Sequence, residues 1–214
     1  MTTNLIVIFD WDNTLCNTKK AVHKGLDDTM KHFGFPAVTE EDIINVMTRH
    51  RGAFWQSKFP LEKQEGKTSL PEAIDFYVSA YRSYTKETEL FKEALPFILW
   101  LKEHKIPMVI LSNKNHEALV QEVKDKGVFS YFEMVQGTKG PLGKPEKEFA
   151  EPILAKLNPQ KIIFIGDGQS DMLMAQNLGA TSILVHHFDN EVPFDYYCET
   201  LKEAQTLVQK LLSK

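Results

Sequence analysis

A chain of 214 residues, 43% of them apolar, can fill an ordinary core and is long enough for one large domain or for a domain with a smaller companion. Its formal charge of −4 gives no long-range attraction for nucleic acid or anionic lipid, so neither is an expected partner. Met1 to Asn4 carry no basic leader and the first apolar run is too short for a signal peptide or a membrane span, so a cytoplasmic protein is expected, with a monomer as the default.

The first pattern along the chain is Leu5-Ile-Val-Ile-Phe9, a continuous β-branched run of the kind found in parallel strands covered on both faces. It runs straight into Asp10-Trp11-Asp12-Asn13-Thr14. Open α/β sheets place ligands at the C-terminal ends of their strands, and in extended chain Asp10 and Asp12 project to the same side. Two converging carboxylates repel unless a cation or a proton is supplied. One chemistry suits them well: Asp10 as a nucleophile that forms an aspartyl-phosphate, and Asp12 as the acid that protonates the leaving oxygen and later takes a proton back. Taken alone, the same residues also suit a turn and cap. Neither Cys16 nor Cys198 has a partner at metal-ligand spacing; both are read as reduced, and Cys16 as a small core residue.

Val22, Leu26, Met30 and Phe33 then recur at helical spacing until Gly34 and Pro36 break the run. Thr39 suits the cap of a second helix over 40–47, and a third, starting near Pro71, carries Ala73, Ile74, Tyr77, Val78 and Tyr81 on one stripe. With no strong strand candidate among them, residues 17–88 are expected to form an all-helical insertion, and residues 1–16 with 89–214 an α/β core. Within the insertion, Thr48-Arg49-His50-Arg51-Gly52-Ala53-Phe54-Trp55 combines cations, a glycine and aromatics, and Arg49 and Arg51 are candidates to grip the non-reacting part of an anionic or ring-bearing substrate. The alternative is that Phe54 and Trp55 belong to the insertion's own core and the arginines to its solvated surface.

From Phe91 helices and strands alternate: a helix to His104, a strand over 107–111, a helix over 115–126, a short strand over 131–135 and a Gly-rich connection. A helix opening at Lys144-Pro145 follows, then a strand over 161–165, a helix over 171–178 and a strand over 181–185, with His186-His187 read as a loop. Such alternation builds parallel βαβ units with right-handed crossovers, an α/β, Rossmann-like parallel sheet. The last stretch, 201–212, has the periodicity of an amphipathic helix packed on the core.

Polar residues follow these strands. Ser112 and Asn113 supply a hydroxyl and an amide suited to a phosphoryl group, although a Ser after a strand is also a common turn or cap residue. Lys144 at a helix start is a cation beside the positive end of the macrodipole, a mismatch that a nearby anion would resolve; a solvated lysine is the plain alternative. Gly166-Asp167-Gly168-Gln169-Ser170-Asp171 adds two acids, of which Asp171 also suits an N-cap. Asp10, Asp12, Asp167 and Asp171 together fit a hard divalent cation, Mg²⁺ first of all.

In these motifs the sequence resembles the haloacid dehalogenase superfamily, in its phosphatase branch with a helical cap after the first strand, like phosphoglycolate phosphatases. Asp10 to Thr14 matches the first motif of that family, Ser112 the second, Lys144 the third and Gly166-Asp167 to Asp171 the acidic fourth, while residues 17–88 match the cap. The resemblance spans nearly the whole chain. It implies an Mg²⁺-dependent phosphomonoesterase for a small phosphorylated metabolite, with Asp10 as nucleophile and metal ligand. Asp12 would be the general acid/base and give a backbone carbonyl to the ion, Asp167 and Asp171 would bind the ion directly or through water, and Thr14, Ser112, Asn113 and Lys144 would contact substrate. The cap would cover the site and choose the substrate. A phosphonatase or phosphomutase of the same superfamily, kept open by Lys19, Lys20 and Lys24, and a non-catalytic module retaining the fold are the alternatives.

Overall fold

In a computed structural model of the chain, residues 5–47, 51–61, 68–186 and 193–212 are described, without the side chains at 44, 45, 47 and 51–53. Two compact units emerge: Thr18–Thr88, and Met1–Asn17 together with Glu89–Lys214. The larger unit opens with β1 (Leu5–Phe9) and β2 (Cys16–Asn17). The smaller one holds α1 (Lys19–His32), α2 (Glu40–Met47), α3 (Arg51–Lys58) and α4 (Leu70–Tyr84). The larger unit resumes with β3 (Glu89–Leu90), α5 (Ala94–Glu103), β4 (Met108–Asn115), α6 (His116–Asp125), β5 (Met134–Thr138), α7 (Glu151–Leu157) and β6 (Lys161–Gly166). It ends with α8 (Gln169–Leu178), β7 (Thr181–Val185), β8 (Tyr196–Cys198) and α9 (Leu201–Leu212).

Six strands form one sheet in the order β5-β4-β1-β6-β7-β8. Every neighbouring pair is parallel. The opening run is central, with Phe9 opposite Ile110 of β4 and Ile165 of β6, which explains why it carries no polar residue. Its side chains alternate between two cores. Val7 and Phe9 pack with Phe97 and Leu101 of α5, Leu119 and Val123 of α6, and Leu201 and Val208 of α9. Ile6 and Ile8 pack on the other face with Ile153 of α7 and Met174 and Ala175 of α8. The chain builds outward from β1 to β4 and β5, then crosses back to β6, so the reversal of strand order falls beside β1, where an open α/β sheet leaves its ligand crevice.

The helical unit has its own core. Val22, Leu26 and Met30 of α1 meet Val46 of α2, Phe54 and Trp55 of α3, and Ala73, Tyr77 and Tyr81 of α4. Gly25 lets α1 and α4 touch, since a Cβ there would lie 3.0 Å from the Tyr81 Cα. Ile74, expected on the buried stripe, is 37% exposed, because the stripe follows Ala73, Tyr77 and Tyr81 one residue around the helix.

Several expected boundaries move. The helix expected from Phe91 starts at Ala94, behind the short β3. The strand expected over 131–135 runs Met134–Thr138 instead; Tyr131 closes a 3-10 turn, Phe129–Tyr131, and packs beside the core without entering the sheet. Lys144-Pro145 does not open a helix. It is a cis peptide in a turn, followed by 3-10 residues Lys147–Ala150 and only then α7, so the supposed clash of Lys144 with a helix dipole does not arise. Asn17, expected in the insertion, pairs with Glu89 in the larger unit. Among the described residues no helix is long and apolar enough to cross a membrane.

Candidate active site

The strand ends nearest the reversal of strand order carry the chemistry. Asp10 follows β1 and donates its backbone N–H to the Ile165 carbonyl at 2.9 Å, which ties it to the end of β6, one residue before Gly166 and Asp167. Asp171 lies in the first turn of α8, where its Oδ2 accepts from the Gly168 N–H at 3.0 Å, so it stands inside the helix start rather than at its cap. Gly166 is required by this approach: a Cβ there would fall 2.4 Å from the Asp171 Cγ. The result is three buried acids, Asp10, Asp167 and Asp171, each offering an oxygen within 4.8 Å of the other two.

Lys144 closes the cluster. Its Nζ lies 2.6 Å from Asp10 Oδ1 and 2.5 Å from Asp171 Oδ1, with the lysine side chain 3% exposed. Anion neighbours rather than a helix dipole therefore explain this lysine. Asn113 holds its backbone, and Ser112, 2% exposed near the end of β4, accepts from the Lys114 N–H at 3.3 Å. Asn13, with φ of 56°, turns its amide onto Asp167 Oδ2 at 2.9 Å. Thr14, expected to contact substrate, is wholly buried and donates to Asp167 Oδ1 at 3.4 Å.

The charges do not balance, with three carboxylates set against one ammonium. Burial, with Asp171 and Asp12 nearby, pushes the Asp10 carboxyl up to about 7 against the pull of Lys144. Burial also holds Asp167 well above the ordinary carboxylate range, helped by Asp10 and Asp171. Burial pulls Lys144 down, but Asp10 and Asp171 outweigh it and hold the ammonium above its ordinary value. Such an uncompensated set of hard oxygens fits a divalent cation.

Asp12 is placed differently. Its carboxylate stands outside the three-acid cluster and meets Lys114, whose Nζ is 2.9 Å from Asp12 Oδ1 and 2.7 Å from Glu122 Oε2. Its side chain is therefore no member of the candidate ligand set expected to include it, which leaves the backbone carbonyl as the expected contribution of Asp12. Burial lowers Lys114, yet Asp12 and Glu122 together raise it further. Sequence reasoning passed over Lys114 and Glu122; the available signal was a lysine two residues beyond Ser112 in the same strand. It also read His186 only as a loop residue, although its ring stacks 4.0 Å from Phe91 and its Nε2 lies 3.0 Å from the Thr14 carbonyl oxygen.

The remaining candidates belong to the helical unit. Phe54 and Trp55 are core residues there, as the plainer alternative expects. Arg49, the Arg51 side chain and His187 lie outside the described residues. Lys19 and Lys24 are partly exposed cations paired with Glu40 at 3.2 Å and Glu87 at 2.7 Å, and Lys20 is exposed; none is a desolvated amine of the kind that attacks a carbonyl.

The sequence matches the haloacid dehalogenase-like hydrolase family over residues 7–185. Phosphoglycolate phosphatase of Rhodobacter capsulatus is 24% identical over 191 residues, 88% of this chain and 87% of that protein. PpaX of Clostridium perfringens, provisionally named a pyrophosphatase, is 25% identical over 220 residues, 97% of this chain and 98% of that protein. In three dimensions, a haloacid dehalogenase-like family hydrolase from Streptococcus pneumoniae aligns with a TM-score of 0.81 at 22% identity, over 98% of this chain and all (100%) of that one.

Proposed function

The chain belongs to the haloacid dehalogenase-like hydrolases, and from that premise we propose that it is a divalent-metal-dependent phosphatase that hydrolyses a small phosphomonoester through an ester of Asp10. The observation that carries this reading is the buried triad Asp10, Asp167 and Asp171 bridged by Lys144. Asp10, Asp167 and Asp171 would hold the cation, with Mg²⁺ preferred for all-oxygen ligation, and the bound ion would offset charge on the phosphoryl oxygens.

Asp10 attacks phosphorus and the bond to the leaving oxygen breaks, while Asp12 gives that oxygen its proton. Water then attacks phosphorus, the bond to Asp10 breaks, and Asp12 takes up the proton that water loses. The products are an alcohol and inorganic phosphate. Lys144 favours the ionised form of Asp10 against its burial and meets charge on the phosphoryl group, as does Ser112. We assign choice of substrate to the helical unit, in keeping with the cap-bearing branch that the sequence resembles.

Phosphate release from a panel of small phosphomonoesters, with pyrophosphate alongside because of PpaX, tests the reading in Mg²⁺, in chelator and with Asp10→Asn. Hydrolysis of a monoester that needs both metal and Asp10 is expected. Hydrolysis that survives Asp10→Asn would sink the proposal.

A further inference from the structure

Asp12 belongs to a second charge system whose other members, Lys114, Glu122 and Trp11, are buried and left without a role by the reaction above. Lys114 joins Asp12 at 2.9 Å to Glu122 at 2.7 Å, and Glu122 Oε2 also accepts from the indole Nε1 of Trp11 at 3.1 Å. The Lys114 and Glu122 side chains are 8% and 9% exposed, against 33% for Asp12. Trp11 and Asp12 are successive residues, so the contacts close a circuit that leaves the backbone at a wholly buried ring and returns to it at a partly exposed acid.

Each member accounts for another. A lysine is a compact charge on a four-carbon stem and fixes a partner only when its own rotamers are frozen. Glu122 supplies that second tether. A buried glutamate is in turn costly unless paired and hydrogen-bonded, and Lys114 with Trp11 provides both. Attachment of α6 to the sheet does not call for the system, since Leu119 and Val123 already bury that face.

We infer that Lys114, tethered by Glu122 and through it to Trp11, is a positioning residue that holds the Asp12 carboxylate where it exchanges a proton with the leaving oxygen. The inference rests on the phosphatase reading, because it concerns the group that protonates the departing alcohol.

The test pairs Lys114→Met with the parent on two substrates and in two crystal structures. An alkyl phosphate such as phosphoglycolate leaves only with a proton, whereas p-nitrophenyl phosphate releases a stable anion without one. Lys114→Met should lower kcat for the alkyl phosphate about a hundredfold, the scale of a catalytic group displaced by an ångström, with KM changed less than about threefold. The burst of nitrophenolate should change less than about threefold, since that step asks little of a general acid. In the crystal, the Asp12 carboxylate should leave its parental position. Equal losses on both substrates, an unchanged kcat in a folded variant, or an unmoved Asp12 would overturn the inference. A parent that hydrolyses neither substrate counts against the phosphatase reading, and the crystal comparison then decides the position of Asp12 by itself. Should Lys114→Met not fold, Glu122→Gln, which keeps the lysine and loosens its tether, is read by the same criteria.

Discussion

Asn113 grips Lys144 by the main chain: its amide donates to the Lys144 carbonyl at 3.0 Å, and its Oδ1 accepts from the Lys144 N–H at 2.6 Å. Both backbone groups of the one lysine that bridges Asp10 and Asp171 are thus held by a single side chain from the end of β4. The sequence suggests Asn113 as a substrate contact, and the structure adds a hold on the lysine.

Asn113→Ala should therefore act through Lys144. Removing two hydrogen bonds at an exposed residue should cost about 1–3 kcal/mol of stability and lower kcat/KM about tenfold, the protein remaining folded. Urea unfolding and steady-state kinetics on the same preparation check both figures. An activity loss with no change in stability would place Asn113 on the substrate after all.

Lys144→Met strips three buried acids of their ammonium. With no metal added, the variant should lose about 3–5 kcal/mol, the scale of leaving a buried charge unpaired. Acid should return part of this loss, because protonated Asp10 and Asp167 no longer need a counter-charge. Thermal unfolding at pH 5 and pH 8 in chelator measures the difference.

The pH dependence of the parent follows from Asp10. Its carboxyl is pushed up from 3.8 to about 7, so between those values the folded chain holds a proton that the unfolded chain has released. Metal-free stability should fall as pH rises from about 4 through 7, the reverse of a salt-bridged acid with a depressed value. A cation binds the ionised carboxylates, so the rise in Tm on adding Mg²⁺ should grow over the same window, with proton release measurable by calorimetry in buffers of different ionisation enthalpy. A metal-induced shift that shrinks as pH rises through 7 would contradict the assigned ligands.

Gly166→Ala tests the close approach directly. A Cβ 2.4 Å from Asp171 Cγ must displace the carboxylate, and metal affinity should drop about tenfold to a hundredfold, the usual cost of disturbing the surroundings of a ligand. Titration with Mn²⁺ followed by calorimetry reports this without any turnover.

The sequence was most informative where one interaction dominates. Val7 and Phe9 against Ile6 and Ile8 are apolar because both faces of β1 are covered, and a five-residue apolar run can say little else. Asp10, Asp167 and Asp171 were visible because acids at successive strand ends are too costly to gather without a purpose. For Lys144 the sequence points to a mismatch with a helix dipole, whereas in the structure its anions are Asp10 and Asp171 and no helix begins there. β8 escaped notice because three residues, two of them exposed tyrosines, carry no alternation. Lys114 and Glu122 escaped because a charge on a helix or strand normally faces water, and only the three-dimensional meeting with Trp11 and Asp12 reverses that expectation.

The two-residue ladder of β2 and β3 sets Cys16 opposite Leu90 and Asn17 opposite Glu89, immediately outside the helical unit. The chain thus departs and re-enters through neighbouring rungs, and the seventy or so intervening residues impose no gap on the framework that carries the acids. Departure and return at paired rungs close the break within the larger unit itself, so β1 and β6, which bring Asp10 and Asp167 together, pair in unbroken register although the chain leaves the sheet between them.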